Sequence, residues 1–311
     1  MPMKLISTKP RRALARRSDA YAALKFRAVV DWIELRVVTA SPSNFSAVRA
    51  RTGASYVGAL DEGPGGAATE FLVRLHDPGS WQEVDDVLAR FTHDHPLAEP
   101  VTVHRIEIAL DAYSRFNDRD DLVQMAYGFY KFATFMASEN RFISRSKYDS
   151  MNLQTHVRLR RPHLDKGCNI YIDKKGADVQ QHIYLKETTV RDGLVVSLPR
   201  REHRARTEIT FTGKGVPEGL VSDWKAFNFA ELSSCFSYRK LKPVVHPMLR
   251  VALEHVDQVG EAKPRPRRPR GTRMYLGATL ADTELNARAY SALRELTKRM
   301  RSGGGLGSLA A

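Results

Sequence analysis

The chain has 311 residues, 42% of them hydrophobic and 27% charged, with a formal net charge of +14. That composition excludes global disorder and allows one large domain or two small ones around a sizeable core. No apolar run is long enough to span a bilayer, the start MPMKLISTKPRRALARRS lacks a secretory h-region, and the two cysteines, Cys168 and Cys235, exclude a disulfide framework and a cysteine-rich zinc site. The expected location is the reducing cytoplasm.

In chain order, residues 1–27 carry +7 and read as a basic arm. A first strand is predicted over roughly 29–39, and SPSN at 41–44 is a turn cluster. SYVGAL and TEFLVRLHD, joined by DEGPGGAA, predict a hairpin. Ser80 and Glu83 form a capping box, followed at helical spacing by Trp81, Val84, Leu88 and Phe91. HDHPLAEP stops that helix; its His93 and His95 could mimic a metal pair but suit a solvated loop. Next comes a strand with Glu107 and Asp111, then a helix over 119–137 with an apolar stripe of Leu122, Met125, Ala126, Phe129, Phe132, Ala133 and Met136. Residues 140–166 read as basic and irregular. NIYID and HIYLKE predict a second hairpin through KKGAD, and ARTEITF a further strand. Helices are expected over 222–236 and 246–259. The Pro/Arg segment 261–273, at +5, is a linker, and a final helix covers 279–301 before a flexible tail. Residues 274–311 carry +2, so the body from 28 to 260 is neutral and the basicity sits on arms.

This order predicts an α+β fold. A mostly antiparallel sheet has helices on its apolar face, and its other face stays open. The expected organisation is a basic arm 1–27, a domain 28–260, a linker 261–273 and a C-terminal helix with tail over 274–311.

Five segments alternate strictly, so each has one packing face and one accessible face. In DWIELRVV, Ile33, Leu35 and Val37 pack while Trp32, Glu34 and Arg36 face away. In HRIEIALD the accessible set is Arg105, Glu107, Ala109 and Asp111. NIYID contributes Tyr171 with Asp173, QHIYLKE contributes His182, Tyr184 and Lys186, and ARTEITF contributes Arg206, Glu208 and Thr210. If the strands share one sheet, its open face gathers the groups of a metal-dependent phosphodiester site. Polar alternation is also what any solvated sheet face shows.

P-loop, G-x-S-x-G and H-E-x-x-H motifs are absent. Glu107 and Asp111 share a face but lie about 13 Å apart along a strand, so both cannot hold one ion unless the strand bends. One of them would need a partner from a neighbouring strand, such as Glu208 or Glu34. Two carboxylates and waters suit Mg²⁺ or Mn²⁺. Cross-strand pairing with Arg105, Arg206 or Lys186 would equally account for Glu107 and Glu208. Tyr171 and Tyr184 are the candidate nucleophiles, although tyrosine is a favoured strand residue in any case. Lys186, on the face of Tyr184, could stabilise its phenolate, whereas Asp173 opposes that at Tyr171 and Lys174 and Lys175 partly offset it. Local electrostatics thus lean towards Tyr184.

RIEIALD, the pair NIYID and HIYLKE, and RTEITF, taken in order, resemble the Rep_trans group of rolling-circle replication initiators and related relaxases. That group belongs to small plasmids, conjugative elements and filamentous phages. DWIELRV and SYVGAL sit where that group has its first strands, and the resemblance spans roughly residues 29–215. It implies Glu107, Asp111 and Glu208 as metal ligands for Mg²⁺ or Mn²⁺. It matches Tyr171 to the tyrosine of a Y-I-G-S-R stretch, and Tyr184 and Lys186 to I-Y-D-K. Two departures stand out: Asp173-Lys174-Lys175 replaces Gly-Ser-Arg, and I-Y-L-K lacks an acid. Which tyrosine attacks is left open. The activity implied is nicking of one DNA strand at a replication origin, leaving a 5′-phosphotyrosyl link and a free 3′-OH. Arg11, Arg12, Arg16, Arg17, Arg145, Lys147, Arg265, Arg267, Arg268 and Arg270 are the expected DNA-binding residues. Origin DNA is the expected partner, with a host helicase and a second copy as further expectations and no membrane. Two rival readings remain. One is a non-catalytic nucleic-acid binder that stacks bases on its tyrosines, and the other is a basic assembly protein that neutralises packaged nucleic acid.

Overall fold

The alternating segments find one another in a single sheet. The computed structural model describes residues 21–134, 141–146, 149–153, 169–172, 177–191, 194–242 and 279–303. The chain runs β1 (Leu24–Ser43), α1 (Phe45–Thr52), β2 (Tyr56–Ala59), β3 (Ala68–His76), α2 (Trp81–Asp94), β4 (Thr102–Ser114) and α3 (Arg119–Phe132). It continues through β5 (Arg141–Ser146), β6 (Asp149–Leu153), β7 (Asn169–Ile172), β8 (Val179–Lys186), β9 (Thr188–Arg191), β10 (Leu194–Ser197) and β11 (Arg204–Thr212). Then follow α4 (Val221–Ala226), β12 (Arg239–Leu241), β13 (Thr279–Ala281) and α5 (Thr283–Ser302). Nine strands form the main sheet in the order β2-β3-β1-β4-β11-β8-β7-β5-β6, and neighbours pair antiparallel. The fold is α+β, as the sequence predicts.

One face of the sheet makes the core. Ile33, Ile106, Ile108, Leu110, Ile170, Ile183 and Ile209 pack against Val123, Ala126 and Phe129 of α3 and Leu285, Leu293 and Leu296 of α5. Val37, Phe71 and Val73 make a smaller cluster with Val48 of α1 and Phe91 of α2. The predicted cap at Ser80 forms, with the return bond shifted one residue ahead of it. Ser80 Oγ accepts from Glu83 N–H, and Glu83 reaches back to accept from Gly79 N–H at 2.8 Å.

Several boundaries move, each for a local reason. β1 begins at Leu24, so Lys25 and Arg27 belong to the sheet rather than to a free arm. α3 ends at Phe132 because Ala133 leaves to bridge Tyr238, and Thr134 N–H donates to Ser237 O. The helix expected over 222–236 breaks at Asn228. That side chain caps a 3₁₀ turn over Phe229–Phe236, and Phe229 N–H donates to Thr297 Oγ1 at 2.9 Å. Strands β5 and β6 occupy the stretch read as irregular, and β9 and β10 form a separate two-stranded ribbon. The helix expected over 246–259, and the linker 261–273, lie outside the described residues.

The C-terminal helix is part of the core rather than an appendage. Ala289 and Leu293 are fully buried, and Leu296 and Met300 nearly so. Leu293→Ala should cost about 2–5 kcal/mol of stability in urea denaturation. A loss below about 1 kcal/mol would mean that α5 contributes little to the fold.

Candidate functional site

The site begins with a fault in the first strand. Val30 pairs with Ile108 and Trp32 with Glu107, which leaves Asp31 as an extra residue in a β-bulge. The bulge switches the strand's parity. Before it Ala28 and Val30 are buried; after it Ile33, Leu35 and Val37 are. Asp31 and Trp32 are therefore both presented on the open face. Neighbouring strands supply the rest in register. Glu208 of β11 lies opposite Ala109 of β4 on one side and His182 of β8 on the other, and Tyr171 of β7 lies opposite His182. Ala109 has no long side chain to stand between Glu208 and β1.

Asp31, Glu107 and Glu208 each bring an oxygen into one cluster whose members all lie within 4.8 Å of one another. These are hard donors from three adjacent strands. Asp31 Oδ2 and Glu107 Oε1 have no hydrogen-bond partner among the described residues. The donor set fits Mg²⁺ or Mn²⁺. The electrostatics express the crowding. Burial and the neighbouring Glu208 push the Glu107 carboxyl well above the carboxylate range. Burial also pushes Glu208 upward, but His182, Arg206 and Tyr184 outweigh it and bring its pKa down to about 2.

Three aromatic rings line the edge of this cluster. His182 is sandwiched between Tyr171 and Tyr184, with centroid separations of 4.2 and 4.3 Å and interplanar angles of 9° and 20°. His182 Nδ1 lies 2.9 Å from Glu208 Oε2, and Tyr184 donates its hydroxyl proton to Glu208 Oε1 at 2.6 Å. His182 Nε2 is buried without a hydrogen-bond partner among the described residues. Burial and Glu208 push the Tyr184 phenol well above its usual range; burial, Glu208 and Glu107 raise Tyr171.

The structure brings Glu107, Glu208, Tyr171, Tyr184 and Lys186 into one neighbourhood, but two expected roles change. Asp111 does not join the acidic cluster. It is fully buried and locked in a fork with Arg206, whose Nε and a terminal nitrogen donate to its two oxygens at 2.5 and 2.7 Å. Arg204 approaches Asp111 at 3.3 Å as well. Asp31 stands where Asp111 was expected. Lys186 pairs with Asp31 at 3.5 Å, and Arg206 is the cation that opposes the rise at Tyr184. Glu34 is held by Arg74 at 2.6 Å and Arg105 at 3.5 Å, outside the cluster. His93 is exposed at a helix end, which suits the solvated reading. Arg145 lies on β5, near the far edge of the sheet. Arg11, Arg12, Arg16, Arg17, Lys147, Arg265, Arg267, Arg268 and Arg270 lie outside the described residues.

Sequence reasoning missed Asp31 and His182. The signal for Asp31 was the parity change itself, because Ala28 and Val30 are even-numbered while Ile33, Leu35 and Val37 are odd. His182 was visible on a polar face, but its meeting with Glu208 depends on strand register. The open face continues past the cluster to Trp32, where the Arg74 guanidinium sits 4.4 Å from the Trp32 ring and 5.4 Å from Tyr56.

No family model and no curated protein matches the sequence. Among solved structures, the chain is similar to a rolling-circle replication initiator protein from Geobacillus stearothermophilus. Identity is 13%, the match covers 87% of this chain and 97% of that one, and the TM-score is 0.35.

The two aspartates should separate by experiment. Asp111→Asn breaks a buried pair and should cost about 3–5 kcal/mol in denaturation. Asp31→Asn also removes a charge that faces Arg206, but from a partly exposed bulge, so it should cost less stability than Asp111→Asn while weakening Mn²⁺ binding in a calorimetric titration by tenfold or more, on the order of 1.4 kcal/mol. Wild-type Mn²⁺ affinity in Asp31→Asn would remove Asp31 from the ligand set.

Proposed function

We propose that the protein nicks one DNA strand by metal-assisted tyrosine attack, as a replication initiator does. The observation that supports this reading most is the meeting of three carboxylates with two tyrosines on one open sheet face. Asp31, Glu107 and Glu208 would hold Mg²⁺ or Mn²⁺, which supplies Lewis-acid polarisation of the scissile phosphate. Tyr171 is the better nucleophile on this geometry. Its hydroxyl has no hydrogen-bond partner among the described residues, whereas the Tyr184 hydroxyl is committed to Glu208. This reverses the lean of the local sequence. The Tyr171 oxygen forms a bond to phosphorus and loses its proton, and the phosphorus–O3′ bond breaks as the 3′ oxygen takes one up. The products are a 5′-phosphotyrosyl link and a 3′-OH, with no nucleotide hydrolysis. Tyr184 orients Glu208, and Lys186 and Arg206 hold Asp31 towards the cluster.

His182 covers one face of each tyrosine, so the base-stacking alternative would have to use the opposite faces. DNA would be gathered largely by the basic segments. Residues 1–20 carry +5 and residues 261–273 another +5.

Incubation with Mn²⁺ and supercoiled or single-stranded DNA of its own replicon should give covalent protein–DNA adducts, and Tyr171→Phe should abolish them while DNA binding survives. Tyr184→Phe should slow adduct formation without abolishing it. Adducts that persist in Tyr171→Phe, or that form fully in EDTA, would overturn the assignment. Removing residues 1–20 and 261–273 should flatten the salt dependence of DNA binding, read as the slope of log affinity against log salt. An unchanged slope would take the arms out of the interface.

A further inference from the structure

The ribbon formed by β9 and β10 leaves the main sheet directly beside the site, and it presents apolar side chains on both faces among Thr188, Thr189, Arg191 and Ser197. Val190 and Val195 are cross-strand partners on one face; Leu194 and Val196 share the other. Their exposures are 67% for Val190, 73% for Val195, 70% for Leu194 and 38% for Val196. A two-stranded ribbon that pairs with no other strand normally covers one face against a core. Among the described residues this one leaves both faces largely open, with Val196 the most covered of the four.

Its root is clamped. Leu198 N–H donates to Glu187 O at 2.9 Å, and the Glu187 carboxylate accepts from Arg119 of α3 at 2.6 Å. His203 Nε2 lies 2.8 Å from Leu198 O. The ribbon starts two residues beyond Lys186, which pairs with Asp31 of the carboxylate cluster. Immediately after it, Arg200 and Arg201 stand exposed at its base. A stiffly rooted ribbon that exposes four apolar side chains, with cations at its base, fits a duplex, in which stacked bases lie between two rows of phosphate. Apolar side chains inserted at a base step unstack it, while the cations neutralise the flanking phosphates. A second copy of the chain would cover one face of the ribbon by packing, whereas insertion between bases uses both.

We propose that the β9–β10 ribbon is a strand-opening wedge, with Val190, Leu194, Val195 and Val196 entering duplex DNA next to the carboxylate cluster. The inference rests on the DNA-nicking reading and adds how a paired strand would reach that site.

The test replaces all four residues with threonine, which keeps the β-branched shape of the three valines while exchanging a methyl for a hydroxyl, and shortens Leu194. The probes are a forked DNA with 2-aminopurine at the junction, a blunt duplex of the same sequence, and a single strand. The wild-type protein should prefer the fork and raise junction fluorescence. The four-threonine variant should bind blunt duplex as before, lose the fork preference by roughly tenfold, and form adducts on single strands while failing on paired DNA. Retention of fork preference and junction fluorescence in the variant would overturn the wedge. So would a wild-type dimer in sedimentation that the variant converts to monomer, which would make the ribbon a protein interface. Failure of the nicking reading looks different: the wild-type protein would then form no adduct even on single-stranded DNA.

Discussion

The buried guanidinium of Arg206 is the interaction on which the site depends. It is 2% exposed, and carboxylates approach it from three residues: Asp111, Asp31 and Glu208. Four acids crowd the middle of this sheet face, and without a buried cation they would repel one another in a poorly solvated space. Arg206 removes Asp111 from the open set by binding it in a fork, and it steadies Asp31 and Glu208 from behind. What remains in front is a cluster with two carboxylate oxygens uncommitted among the described residues. A structural ion pair and a candidate metal centre thus share one arginine, and loss of that arginine would damage both.

Much of the frame was legible in the sequence. Strict alternation around Ile106, Ile108 and Leu110, and again around Ile183 and Leu185, names the strands and their buried faces, because a period of two admits no other regular solution. The capping box at Ser80 is local chemistry and can be read from four residues. The face that would carry chemistry was visible for the same reason, and Glu107, Glu208, Tyr171 and Tyr184 all lie where alternation puts them.

What could not be read depends on register or on irregularity. Asp111 and Glu107 share a face in sequence, but only the pairing of Asp111 with Arg206 across two strands decides that one is locked and the other open. Asp31 is assigned to the packing face by simple alternation, and the bulge overrules it. β5 escaped because Phe142 and Ile143 are adjacent and break the period of two. The ribbon of β9 and β10 reads in sequence as an ordinary connection, since LVVS is four residues long and its exposure is a tertiary property. α5 was expected as a separate C-terminal helix because the Pro/Arg segment precedes it, yet its apolar stripe is required by the sheet it covers.

The proposal that one divalent ion is held by Asp31, Glu107 and Glu208, with Asp111 excluded, is open to a direct test. Anomalous scattering from a Mn²⁺-soaked crystal tests it most directly. The account predicts a single strong peak on the open sheet face within bonding distance of those three carboxylates, and an Asp111–Arg206 fork that is unchanged. A peak bound by Asp111, or no peak at this cluster at saturating Mn²⁺, would contradict it.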